Sequence, residues 1–182
     1  MAVGATLSAV SRRRKRGPAG ARSGAESVSM AAAADTEYMR MALELAQIAA
    51  DQGEVPVGAI VVWQGRVVGR GRNASIRLCD PTAHAEILAL RAAGVAARNY
   101  RLPDAELFVT VEPCLMCVGA VIQARLRRVV FGCADPKAGA LGSIADFSAD
   151  PRLNHRFVVE PGIGAAEARV LLQRFFRERR ER

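Results

Sequence analysis

A histidine and two cysteines are spaced in this chain so that they could share one metal ion. They are His84 in Pro81-Thr82-Ala83-His84-Ala85-Glu86, and Cys114 and Cys117 in Glu112-Pro113-Cys114-Leu115-Met116-Cys117. A zinc ion that activates water needs three protein ligands, one open position, and a nearby acid/base that is not itself bound to the metal. His84, Cys114 and Cys117 supply the three ligands, and Glu86 is the spare carboxylate. The combination points to hydrolytic chemistry at zinc.

The elements that must hold these donors can be argued from the same residues. Pro113 suits the first position of a helix, where its fixed φ fits and its missing N–H would be unpaired anyway. That puts Cys114 in the first turn and Cys117 three residues on, on one face and near the positive end of the helix dipole, which favours thiolates. In the other motif Thr82 is expected to be an N-cap, with His84 one or two residues inside the helix. Glu86 then projects in a different direction, off the metal. A structural zinc site would need a fourth ligand, for which Cys79, Cys133 and His155 are the remaining candidates. Cys79 stands in a loop and Cys133 ends a strand pattern, so neither has paired spacing, and both are read as ordinary small residues. A redox Cys-x-x-Cys would leave His84 and Glu86 unexplained.

From Asp35 onward the periodicities alternate between helix and strand. Tyr38, Met41, Ala42, Leu45, Ile48 and Ala49 share a helical face that Gly53 terminates. Val57 to Val62 and Arg66 to Val68 flank Gln64-Gly65, a tight-turn pair. Next are expected the His84 helix to about Gly94, a strand from Leu107 to Val111, the Cys114 helix to about Ala124 and a strand from Arg128 to Gly132. A short strand over Phe157 to Val159 and a helix from Ala165 complete the order. This is an α/β sandwich, in which the strands at Leu107 and Arg128 should be parallel with a right-handed crossover. The Cys114 helix, apolar nearly all round, should be buried.

With 182 residues, about half of them apolar, the chain can bury a core of one-domain size. Its longest apolar runs, such as Leu115 to Ile122, are too short to span a bilayer. Four cysteines, two of them assigned to metal, suggest a reducing compartment. Residues 1–34 form a basic extension that includes Arg12-Arg13-Arg14-Lys15-Arg16 and lacks a sustained apolar period, so they are expected to be disordered. Three origins are open for it: a solvated tail, an organelle transit peptide, or translation from a start upstream of Met30. A dispensable extension is favoured, which leaves residues 35–182 as the functional domain.

The His84-Ala85-Glu86 and Pro113-Cys114-Leu115-Met116-Cys117 pair matches the signature of the zinc deaminases. Further matches are Glu54-Val55-Pro56-Val57-Gly58-Ala59, Asn73, Asn99-Tyr100-Arg101-Leu102, Val130-Phe131-Gly132, Asp135-Pro136-Lys137-Ala138-Gly139-Ala140 and Asn154-His155-Arg156. From about Glu37 to its end the chain therefore resembles the bacterial tRNA-specific adenosine deaminases, of the cytidine deaminase-like superfamily. It departs from them at Leu107-Phe108, where the family often has Leu-Tyr, and at Pro136, where it often has Ala.

The resemblance implies a three-layer α/β/α sandwich around a mixed five-stranded sheet. It also implies one Zn2+ per subunit, a homodimer in the cytoplasm, and hydrolytic conversion of adenosine to inosine at the wobble position of a tRNA anticodon stem-loop. Organellar localisation is the alternative if the extension is a transit peptide. Glu86 would carry the protons. Asn73 would contact the target nucleoside, with Glu54, Val57 and the backbone at Ala85 completing the pocket, although a structural hydrogen bond is an equal reading of Glu54. Asp135, Lys137 and Asn154 correspond to family positions near the RNA. The closing helix has core spacing at Ala168, Leu171, Leu172 and Phe175 and can face RNA with its arginines, while Phe176 can face either core or RNA. His155 is either a substrate contact or a surface residue near a dimer interface. Two other functions share these features: a deaminase of guanine, cytidine, dCMP or a riboflavin precursor, and a non-catalytic RNA-binding subunit. The second has no need of Glu86.

Overall fold

The computed structural model describes residues 24–181 of the chain, and the basic run Arg12–Arg16 lies outside them. Five strands form one sheet: β1 (Gly58–Trp63), β2 (Arg66–Arg72), β3 (Glu106–Val111), β4 (Arg128–Cys133) and β5 (Val158–Pro161). Their order is β2-β1-β3-β4-β5. β1 is antiparallel to β2 and β3, whereas β3, β4 and β5 run parallel. The mixed five-stranded sheet is the one implied by the family resemblance. Gln64 and Gly65, both at positive φ, close the β1–β2 hairpin as its sequence predicts.

Alternation along the strands divides the core into two layers. Ala59, Val61, Leu107, Val109, Val129 and Phe131 face α3 (Ala85–Ala97) and α4 (Leu115–Ala124). Ile60, Val62, Phe108 and Val130 face Met39 and Ala42 of α1 (Gly24–Asp51). The closing helix α5 (Ala165–Arg180) packs beside α1 through buried Ala168 and Phe175.

Both layers approach the sheet closely because small residues meet there. On one side Gly58 of β1 packs on Ala42 and Ala46, and on the other Gly69 and Gly71 of β2 pack on Ala85, Ala89 and Ala93 of α3. This close approach also corrects the face expected for α1. The fully buried residues are Met39, Ala42, Ala46 and Ala49, while Tyr38, Met41 and Leu45 are half-buried at its flank and Ile48 is exposed. The small side chains win the contact because they let the helix axis come nearest to Gly58.

Helix α1 begins at Gly24, well before the expected boundary at Asp35. The residues ahead of Asp35 include Ala31-Ala32-Ala33-Ala34, strong helix formers that can extend a helix already anchored by its packed turns without any apolar period. Met30 to Ala34 are exposed and burial starts at Asp35. There Arg128 pairs with Asp35 at 2.5 Å and Glu106 at 2.7 Å, and also with Glu160, joining α1 to β3, β4 and β5. A cation held by three carboxylates at this depth fixes orientation more than it adds net stability.

α4 is buried along Cys117, Val118, Val121, Ile122 and Ala124, but not all round as expected: Leu115 and Gln123 are exposed. A short helix α2 (Ser75–Leu78), not expected from the sequence, follows the hairpin.

Candidate active site

The two donor-bearing helices each start two residues later than their motifs suggest. His84 is the N-cap of α3, not a residue inside it, and Cys114 is the N-cap of α4, with Cys117 in its first turn. Thr82 does not cap α3, because its N–H and hydroxyl both donate to Asp80 Oδ1, 2.7 Å away in each case, in a local Asx turn. The capping acceptor for α3 is instead Asn73 Oδ1, which takes the Ala85 N–H at 2.9 Å from twelve residues back in the chain. Both helices thus direct their N-termini and the positive ends of their dipoles towards the donors.

His84 Nδ1 lies 3.6 Å from the sulfur of Cys114 and 3.6 Å from that of Cys117, and the two sulfurs are 3.7 Å apart. Tetrahedral zinc, with sulfur at about 2.3 Å and nitrogen at about 2.0–2.1 Å, requires donor separations of about 3.8 Å between sulfurs and about 3.6 Å between sulfur and nitrogen. The donor triangle fits that ion without adjustment. Among the described residues no fourth donor joins it. Cys79 is exposed and Cys133 is buried elsewhere, while His155 Nε2 is engaged with the Leu126 carbonyl at 2.6 Å.

The electrostatics also favour a cation at this point. The Cys114 thiol is pushed down to about 4, chiefly by the hydrogen bond from Cys117 and further by His84, against the opposing effect of burial. The same contact with Cys114, together with burial, keeps the Cys117 thiol protonated, and a metal ion would take the place of that shared proton. Glu86 is buried beside the triangle, and desolvation lifts its carboxyl above the usual carboxylate range. It is not one of the three donors.

These residues lie in a cleft of about 890 Å³ lined by Val57, Asn73, His84, Glu86, Glu112 and Cys114, by the segment Ala134 to Ala138, and by Leu172, Gln173, Phe176, Arg177 and Arg180 of α5. Val57, Asn73, Asp135, Lys137 and Phe176 therefore line the same cleft as the donors. The others do not. Glu54 is buried and accepts the N–H groups of Ile76 and Arg77 at 3.2 and 2.8 Å, so its carboxylate caps α2 and takes the structural reading. Ala85 is buried beneath the cleft with its N–H spent on Asn73. Asn154 lies at the far end of α4, where its carbonyl accepts from Arg125, the residue that ends that helix. Arg125 itself is about 16 Å from Cys114 along the helix. Phe176 is half exposed and stacks edge-on against buried Phe175, so the α5 aromatics divide between cleft and core.

Glu112 has no role in the sequence reading beyond its place in the motif. It is buried, and its carboxylate accepts the N–H groups of Asp135, Leu141 and Ser143 and the Ser143 hydroxyl. Burial alone would raise its pKa, but these hydrogen bonds, led by Ser143, hold it below the usual range. The signal available in the sequence was its position two residues before Cys114, a candidate metal donor. Its partners, more than twenty residues away, were not legible.

Comparison with known proteins agrees with this geometry. Residues 33–180 match the MafB19-like deaminase family. A tRNA-specific adenosine deaminase of Haemophilus influenzae is 49% identical over 148 residues, covering 81% of this chain and 86% of the relative. A solved structure from biochemical and structural studies of A-to-I editing by tRNA:A34 deaminases at the wobble position of transfer RNA superposes with a TM-score of 0.73 at 43% identity. It covers 75% of this chain and 99% of that one. A guanine deaminase from Nitrosomonas europaea follows at 27% identity and a TM-score of 0.64, covering 77% of this chain and 83% of that one.

Proposed function

This chain belongs to the tRNA-specific adenosine deaminase family, and from that premise we propose that it hydrolyses adenosine to inosine at the wobble position of a tRNA anticodon loop. The observation that carries the reading is a buried carboxylate, Glu86, beside a three-donor metal set at the floor of a cleft whose rim holds Lys137, Arg177 and Arg180. A small neutral base does not require such a cationic rim. A looped RNA, whose target nucleotide is splayed out with phosphates on either side, does.

His84, Cys114 and Cys117 would hold zinc, which when bound lowers the cost of deprotonating water at neutral pH. The residues of the chain do the rest. Glu86, with its affinity for protons raised by burial, accepts one proton from the attacking water and delivers it to the purine ring nitrogen, then carries the second, from the newly added hydroxyl, to the departing amine. Water and adenosine are consumed, and ammonia and inosine leave. Asn73, with its carbonyl committed to Ala85, has its amide nitrogen available to the nucleoside. Val57 supplies an apolar wall, and Phe176 offers a stacking face at the mouth. Asp135 holds its own loop by accepting the Lys137 and Ala138 N–H groups, which sets Lys137 at the rim.

The functional domain in this reading is residues 35–182. A homodimer is part of the proposal: exposed Leu115 and Ile144, on either side of the Cys114–Gly139 backbone bridge, offer apolar surface beside the cleft for a second subunit. No described helix is long and apolar enough to cross a membrane, in keeping with a proposed cytoplasmic enzyme. The test is inosine formation in a transcribed anticodon stem-loop measured against free nucleosides and bases. The stem-loop should be the preferred substrate, and faster deamination of free guanine or cytidine would overturn the assignment.

A further inference from the structure

Four donors from one loop converge on a single buried carboxylate at the edge of the cleft. Glu112 Oε1 accepts the N–H groups of Leu141 and Ser143 at 2.9 and 3.0 Å, and Oε2 accepts the N–H of Asp135 at 3.0 Å and the Ser143 hydroxyl. Gly139 lies so close that a Cβ there would sit 2.3 Å from the carboxylate. Besides these bonds the Gly139 N–H donates to the Asp135 carbonyl and the Ala140 N–H to the Pro113 carbonyl, both at 2.9 Å, and Ala140 and Leu141 are buried in the core, whereas none of Ala134 to Ala138 is buried. This same loop supplies Ala134, Asp135, Pro136, Lys137 and Ala138 to the cleft.

We propose that Glu112 is a positioning residue for the substrate: it holds the 134–143 loop as a wall of the cleft and so sets how tightly the RNA is bound, not how fast the bound adenosine reacts. The inference rests on the tRNA deaminase reading above. Its physical basis is a division of supports. His84 and Glu86 stand on α3 and Cys117 on α4, each helix packed on the sheet, whereas the cleft-facing stretch 134–138 has no strand, helix or core packing of its own and is tied by the Glu112 carboxylate to the buried Ala140–Leu141 part of its loop. Hydrogen bonds to a charged acceptor are the strong kind, and removing one partner leaves buried N–H groups unpaired.

Glu112→Gln is the sharpest perturbation. With its remaining oxygen at the Leu141 and Ser143 N–H groups, the new amide nitrogen faces the Asp135 N–H, donor against donor, and releases the end of the loop that carries Lys137. The KM for an anticodon stem-loop should rise about tenfold, while kcat stays within about threefold and zinc remains at one per chain. Ser143→Ala removes one donor without disturbing the charge and should raise KM about threefold, which keeps the inference testable if Glu112→Gln folds poorly. Gly139→Ala should raise KM as Glu112→Gln does, and the double variant should add little, because both act through one contact.

A merely structural Glu112 would instead lower kcat and zinc content together. That pattern, or an unchanged KM in Glu112→Gln and Ser143→Ala, would overturn the inference while leaving the enzyme assignment intact. A wild-type chain that forms no inosine in the stem-loop would overturn both.

Discussion

Replacing Gly71 with alanine should weaken metal binding although the residue touches no donor. A Cβ at position 71 would lie 2.0 Å from the Ala85 carbonyl oxygen and 2.6 Å from the Ala89 nitrogen. Both are backbone atoms of α3, so no side chain can rotate away. The closer contact is about 1.4 Å short of ordinary van der Waals separation, which begins at 3.4 Å. The helix must lift or tilt at its N-terminal end, where His84 is the cap. Overpacking of this kind costs about 1–3 kcal/mol, and a rigid backbone obstacle places Gly71→Ala at the upper end. For a chain of this size that is a fall in Tm of roughly 6–12 °C. Zinc ligands tolerate displacements of only about 0.2 Å, so chelator competition should show metal affinity reduced by about 10–100-fold. Gly65→Ala serves as the control. Its Cβ meets nothing within 4 Å, and its only cost is the positive φ of 72°, about 1 kcal/mol with unchanged zinc affinity. A Gly71→Ala chain with wild-type Tm and wild-type zinc affinity would refute the claim that glycine on β2 sets the position of His84.

Three further outcomes are expected. Cys114→Ala and Cys117→Ala should lose zinc and fold poorly, since an ion held by these donors would join α3 to α4, whereas Glu86→Ala should retain zinc by metal analysis and lose at least about 100-fold in turnover. Arg177→Ala with Arg180→Ala should flatten the slope of log K against log salt for stem-loop binding by about 1.4. Arg179→Ala should leave that slope alone and lower stability, because Arg179 is engaged with the Gly53 carbonyl and stacks 4.5 Å from the Phe175 ring centroid. A chain beginning at Met30 should keep wild-type Tm and deamination activity, because the side chains from Met30 to Ala34 are exposed and burial begins at Asp35. A substantial loss of either would show that the extension contributes to the enzyme.

What the sequence determined by itself was the chemistry and the order of elements. Donor type and spacing are local properties, so His84, Glu86, Cys114 and Cys117 could be read as one site before any fold was known. Strand and helix periods likewise placed every element of the sheet and its layers except α2. The tertiary structure decided matters in which one residue is defined by another far along the chain. Asn73 and not Thr82 caps α3, because the Asp80 turn consumes Thr82 and a carbonyl from the hairpin's end reaches Ala85. Glu54 caps α2 across more than twenty residues, which takes it out of the pocket. Asn154 sits at the opposite end of α4 from the donors, because β5 runs parallel to β4 and its entry loop returns to the start of those strands. Glu112, silent in the sequence, gathers a loop around itself because a buried carboxylate must find donors, and those it finds belong to the loop that lines the cleft.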